Sequence, residues 1–73
     1  MMPAKWLVTI ARDRLEAVTA RLRALGCQVV LEAVVPIDDD VVLPASGPKG
    51  VEREIARIPG VRAVHPDSDF TMY

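Results

Sequence analysis

Along this chain the hydrophobic positions change their period several times, and each change marks an element. Lys5 to Ala11 reads KWLVTIA, with Trp6, Val8 and Ile10 on one side and Leu7, Thr9 and Ala11 on the other. A period of two belongs to a half-buried β-strand. From Asp13 the period lengthens. Leu15, Val18, Leu22 and Leu25 recur at helical spacing, with Arg14, Arg21 and Arg23 largely off the stripe, which predicts a helix over residues 13–25. Asp13 and Glu16 stand three apart at its start like a capping box, both well placed for the helix dipole. Gly26 ends it, because a left-handed residue is least strained without a side chain.

Cys27 to Val35 (CQVVLEAVV) is rich in β-branched residues and predicts a second strand, stopped by Pro36. Ile37, Asp38, Asp39 and Asp40 form a polar turn. Val41, Val42 and Leu43 predict a short third strand ended by Pro44, and Ala45-Ser46-Gly47-Pro48 is loop chemistry. Pro48 suits the first turn of a helix over residues 48–58. Val51, Ile55 and Ile58 are its apolar stripe, and Pro59-Gly60 breaks it. Val61 to His65 is a fourth strand, with Val61, Ala63 and His65 on one face and Arg62 and Val64 on the other. The tail is SDFTMY, residues 68–73.

The chain echoes itself. Leu22-Arg23-Ala24-Leu25-Gly26 leads into Val29-Val30, and Ile55-Ala56-Arg57-Ile58-Pro59-Gly60 leads into Val61 and Val64. Each half is strand, helix, glycine, strand. Two such halves predict an α+β fold, the ferredoxin-like β-α-β-β-α-β sandwich: a four-stranded antiparallel sheet with two helices on one face. Trp6, Val8, Ile10, Leu15, Val18, Leu22, Ile55 and Ile58 are the expected core. The opposite face stays open. Val30, Val34 or their neighbours are expected on it, because the second strand is apolar on both sides. An open, partly apolar face on so small a domain points to a partner, and a homodimer packing sheet on sheet is one such arrangement.

Composition narrows the function classes. Seventy-three residues make one domain, residues 1–73, and a chain this short buries only about 60% of the surface it exposes when unfolded. Hydrophobic residues make up 51% and charged residues 26%, which marks a globular chain. A net charge of −1, with both signs dispersed, gives no phosphate-binding face and argues against nucleic acid. Met1 to Ile10 carries one lysine and a short apolar run, followed by Arg12, Asp13 and Arg14. That is too short for a signal peptide or a membrane span, so no membrane and a cytoplasmic location are expected, or a secreted one where an earlier segment has been removed.

Catalytic chemistry finds no convergent set. Cys27 is the single cysteine and His65 the single histidine, so a disulfide framework and a Cys/His metal cage are excluded by count. His65 has no Cys or Ser beside it in sequence and is expected to be a surface or structural histidine. Cys27 opens a strand and is expected to pack as a small apolar residue. Asp38-Asp39-Asp40 lacks the D-x-D-x-D-G spacing of a calcium loop and is expected to be a solvated turn. Gly47-Pro48-Lys49-Gly50 lacks the spacing and the Gly-Lys-Ser/Thr ending of a phosphate loop. The expectation is a protein that is not an enzyme and holds no cofactor and no metal. In the tail, Phe70 and Tyr73 are two of only three aromatics. Three apart in an extended segment, they point to different sides and suit two pockets of a peptide-binding groove. Folding back onto the domain as an extra strand is the other reading.

The segment VRAVHPDSDFTMY, with Gly60-Val61, Val64, Asp67 and Tyr73 in matching spacing, resembles the C-terminal part of subtilisin propeptides and of the small free-standing proteinase inhibitors related to them. KWLVTIA resembles the first strand of that family, and the resemblance covers nearly the whole chain. It departs at His65-Pro66, where the family has an acidic pair, and across PIDDDVVLPASGP. The resemblance implies the same ferredoxin-like fold and an inhibitor of a subtilisin-like serine protease, a helper of its folding, or both. The open sheet face would lie on two protease helices, and the tail would occupy the cleft like a substrate. Tyr73 would fill the main specificity pocket and Phe70 the second apolar pocket, with Thr71 and Met72 between them. Asp67 and Asp69 would cap protease helices, where carboxylates are favoured. A regulatory or homodimeric interaction module of the same fold, with no protease partner, is the alternative.

Overall fold

The computed structural model describes residues 4–66. The chain folds as an α+β domain with an antiparallel sheet of five strands and two helices: β1 (Ala4–Ala11), α1 (Leu15–Ala24), β2 (Gln28–Val29), β3 (Val35–Ile37), β4 (Asp40–Gly47), α2 (Glu52–Arg57) and β5 (Val61–Pro66). Across the sheet the order is β2-β4-β1-β5, with β3 beside β2 on the same flank of β4. Every pairing is antiparallel.

One face of this sheet carries the core. Trp6, Val8 and Ile10 of β1 and Val41, Leu43 and Ala45 of β4 are buried together with Val18 and Leu22 of α1, Ile55 of α2, Ile58 and Cys27. Seven of the eight residues expected in the core are buried, and Leu15 is partly buried against them. Both helices therefore deliver their stripes to the face that β1 turns inward.

The first helix begins later than its sequence pattern indicates. Arg12–Arg14 forms a 3₁₀ turn, and α1 starts at Leu15 with no side chain capping it. Asp13 is thus not a capping residue; it sits in the tight turn that lifts the chain off β1. The exit from α1 follows expectation. Gly26 has φ +86°, the Cys27 N–H donates to the Leu22 carbonyl and the Gly26 N–H donates to the Arg23 carbonyl. This is a Schellman ending, with Cys27 and Leu22 supplying its apolar contact. The second helix is shorter than residues 48–58, and Pro48 lies outside it. Its end is set by Pro59, which drives Ile58 to φ −67°, ψ 130°.

The largest departure is the strand expected over Cys27 to Val35. It is broken into β2 and β3 by a 3₁₀ turn at Leu31–Ala33, so the sheet has five strands and not four. Val34 turns inward and packs against the core, while Val35 and Ile37 are exposed. The strand expected at Val41 to Leu43 instead runs from Asp40 to Gly47, through Pro44, and Ala45 to Gly47 are strand rather than loop. Pro44 is tolerated for a local reason. Its carbonyl accepts from the Val30 N–H, so that edge of Pro44 faces the break between β2 and β3. The N–H that proline lacks would have pointed into the same gap, and no ladder bond is lost.

In β5 the alternation is interrupted. Thr9 pairs with Ala63 but Ile10 pairs with Val61, a bulge that leaves Arg62 as the extra residue. The bulge shifts the period by one, so Val61 and Val64, expected on opposite faces, both pack against the core. Both sheet edges are blunted against further pairing: β5 by this bulge, and the β2/β3 side by Pro36 and the 3₁₀ break. Gly60, just before β5, has φ +100°, and its carbonyl accepts from the Ala11 N–H at 2.8 Å. A Cβ there would lie 2.6 Å from Arg14 Cβ, so this corner requires glycine both for its φ and for its space.

Candidate functional site

The face of the sheet turned away from the helices is the candidate site. Register places Leu7, Thr9 and Ala11 of β1 beside Pro44, Val42 and Asp40 of β4. Val35 and Ile37 of β3 extend the same side beyond Val42 and Asp40. On the far flank, Ala63 and His65 of β5 lie beside Thr9 and Leu7. The centre is apolar. Leu7, Val42 and Pro44 are half-buried, while Val35 and Ile37 are 53% and 52% exposed. Those two are the large apolar side chains most open to water in the described chain. The sequence pattern had assigned Ile37 to a polar turn. The signal that could have placed it is the V-P-I alternation, with a proline at a position that only an edge strand tolerates.

The two ends of this face differ in charge. Lys5 pairs in register with Ser46, and Ser46 with Gln28, at one end. At the other, the two-residue turn Asp38-Asp39 joins β3 to β4 and is followed at once by Asp40. Asp38 has φ +55°, a left-handed conformation that aspartate tolerates better than most residues. Arginines tie this turn to the domain. The Arg12 guanidinium donates to the Asp38 carbonyl, the Arg12 backbone N–H donates to the Asp39 carbonyl at 3.0 Å, and Arg62 Nε donates to Asp40 Oδ1 at 2.7 Å. The bulge that frees Arg62 from the regular ladder brings it to Asp40. No three His, Cys, Asp or Glu side chains converge as metal ligands among the described residues, and no helix there is long and apolar enough to cross a membrane.

The remaining chemically distinctive residues do not gather around this face. Cys27 is buried on the helix side, where desolvation pushes its thiol pKa up and away from the reactive thiolate. His65 is exposed on β5. Glu52, at the start of α2, accepts from the Gly50 N–H at 2.9 Å. Its carboxyl is held below the ordinary value chiefly by its own backbone N–H, then by Gly50, the Trp6 side chain and Lys49. A shallow groove between α1 and the 3₁₀ turn is lined by Leu15, Thr19, Ala20 and Leu31. Thr19 is itself buried, and its hydroxyl has no hydrogen-bond partner.

Asp67, Asp69, Phe70, Thr71, Met72 and Tyr73 lie outside the described residues. What is described is the point from which they depart. Pro66 ends β5 opposite Trp6, at the sheet edge and toward the Lys5 end of the open face. Comparison with protein-family models, with curated proteins and with solved structures finds no match to this chain.

Proposed function

We propose that this chain is a non-catalytic, protein-binding domain of the ferredoxin-like β-α-β-β-α-β type, and that it inhibits a subtilisin-like serine protease. The strand order supports the fold reading once β2 and β3 are counted as one interrupted strand flanking β4, with β1 and β5 beyond it. The observation that carries the functional reading is the open face. A centre of Leu7, Val42 and Pro44, partly open to water, with Val35 and Ile37 more than half exposed, lies on the face that the helices do not cover. Clustered apolar surface with a polar rim favours docking onto another protein. Its location fits the tail as a second contact, since residues 67–73 continue from an edge strand of the same sheet.

In this mechanism the open face seats on the protease surface and the tail lies extended in the cleft, pairing its backbone with the cleft edges. Tyr73 and Phe70 fill two pockets, with the Tyr73 main-chain carbonyl near the oxyanion donors. Asp67 and Asp69 meet helix N-termini of the protease. Burying one aromatic side chain contributes on the order of 1.5–3 kcal/mol, so Tyr73→Ala should weaken inhibition roughly ten- to a hundredfold.

The test is an inhibition titration of a subtilisin with the intact chain and with a form ending at Pro66, read beside their melting curves. The expected result is stoichiometric inhibition by the intact chain and none by the truncated form, with the two melting alike. An intact chain that leaves the protease untouched at micromolar concentration overturns the reading. So does a truncation that lowers the melting temperature without changing protease activity, because that is how a tail folded onto the domain behaves.

A further inference from the structure

We propose that when no other partner is present the open face closes against a second copy of this chain, with the ends of the two sheets exchanged. The extent of the surface is the first argument. Four strand positions about 4.8 Å apart and up to about 27 Å long give the open face roughly 500 Å², the scale of a weak, concentration-dependent interface. The apolar centre, Leu7, Val42, Val35 and Ile37, lies on that sheet face, and a two-fold partner buries the same residues again.

Charge chooses the orientation. Two sheets packed face to face keep their strands roughly aligned, so a two-fold axis lies either along the strands or across them. Along the strands, the two Lys5 side chains share one end of the interface and the two Asp38-Asp39 turns share the other, so like charges gather at each end. Across the strands, Lys5 of each copy lies toward the acidic turn of the other, and the attraction occurs twice. The turn remains acidic after its internal contacts. Asp38, Asp39 and Asp40 bring three negative charges against the two positive charges of Arg62, paired with Asp40, and of Arg12, held on the Asp38 backbone carbonyl, so the turn keeps a net negative charge. Among the described residues neither the Asp38 nor the Asp39 carboxylate has a partner.

The self-association stands on the face alone; only its consequence rests on the inhibitor reading. If the face also receives a protease, the two complexes exclude each other, and the dimer is a store from which the active monomer is released.

Sedimentation equilibrium of the full chain alone, from low micromolar to submillimolar concentration and with a thiol reductant, tests this. A monomer–dimer equilibrium is expected. Ile37→Lys, at a position already open to water, should weaken it at least tenfold with an unchanged circular dichroism spectrum. Lys5→Glu should weaken it severalfold, and Lys5→Glu combined with Asp39→Lys should restore it. A chain that stays monomeric throughout overturns the proposal, as does a dimer indifferent to Ile37→Lys. A dimer that Lys5→Glu leaves unchanged overturns the exchanged-end arrangement. No protease enters the measurement, so a monomer leaves the inhibitor reading standing, and a dimer that fails to inhibit removes that reading alone.

Discussion

The two faces of one sheet are built from the same strands and meet opposite fates. On the helix side of β1 and β4, Val8, Ile10 and Leu43 are completely buried; on the other side their direct neighbours Leu7, Thr9 and Val42 keep part of their surface in water. Alternation sends successive side chains to opposite faces, and it does so equally for both. The difference is that α1 and α2 supply apolar stripes to one face only. An apolar residue on the closed face is a structural element, whereas the same residue type one position along is surface held in reserve for a partner.

Substitutions one residue apart separate the two faces most sharply. Leu43→Ala should cost roughly 2–5 kcal/mol, comparable with the whole stability of a domain this small, about 3–5 kcal/mol, and should leave the chain largely unfolded at room temperature. Val42→Ala, its neighbour on the open face, should cost less, about 1 kcal/mol, because part of its surface stays in water after folding. Urea titrations followed by circular dichroism measure both, and equal losses would dissolve the distinction.

Thr19 sharpens the account of the closed face. It presents a buried hydroxyl without a partner, and such a group is destabilising by about 1–3 kcal/mol. Thr19→Val keeps the branched shape and removes the polar atom, so a gain of about 1 kcal/mol and a melting temperature higher by about 4–8 °C are expected. A loss of stability would mean that the hydroxyl has a partner after all.

Charge contacts around the sheet should matter less. The Arg62 and Asp40 side chains are 59% and 28% exposed. Arg62→Gln should therefore cost about 0.2–1 kcal/mol, diminishing as salt is added. The smallest effect concerns Glu52, whose carboxyl is held below the ordinary value of 4.5 by its own backbone N–H and that of Gly50. A lowered folded-state pKa stabilises above the unfolded value and loses its effect as pH falls through the folded one. Glu52→Gln should thus be slightly less stable than the parent near neutral pH and converge with it below pH 4.5. Thermal melts across acid pH would show that convergence, and a gap that widened toward acid would reverse the sign.

Local pattern carried much of the fold because several elements are specified by short-range chemistry. β1 alternates over its whole length, and α1 repeats its apolar positions with a glycine at the αL position that closes it. The elements misread are those whose ends depend on a neighbour. Cys27 to Val35 is apolar on both sides, and no periodicity within it marks where the chain leaves the sheet. Pro44 reads as a strand end unless it is known that its vacant N–H side faces that break. Arg62 becomes a bulge only because β5 must keep both Val61 and Val64 against the core. For the candidate site, the existence of an open apolar face was legible, but its most exposed residues were not. Val35 and Ile37 straddle a proline beside three aspartates, a composition that signals a turn as readily as an edge strand.

The sequence by itself determined that this is an α+β chain with two amphipathic helices and a sheet whose apolar stripes gather on one side. Those properties follow from residue types and their spacing, which act over one or two turns of chain. Tertiary structure decided which apolar residues remain in water, how Asp40 acquires Arg62, and why a proline stands inside the eight-residue strand β4. Each of these depends on what lies across the sheet, and a side-chain pair such as Arg62 and Asp40, 22 positions apart and reaching across β1, leaves no periodic trace in the residues between.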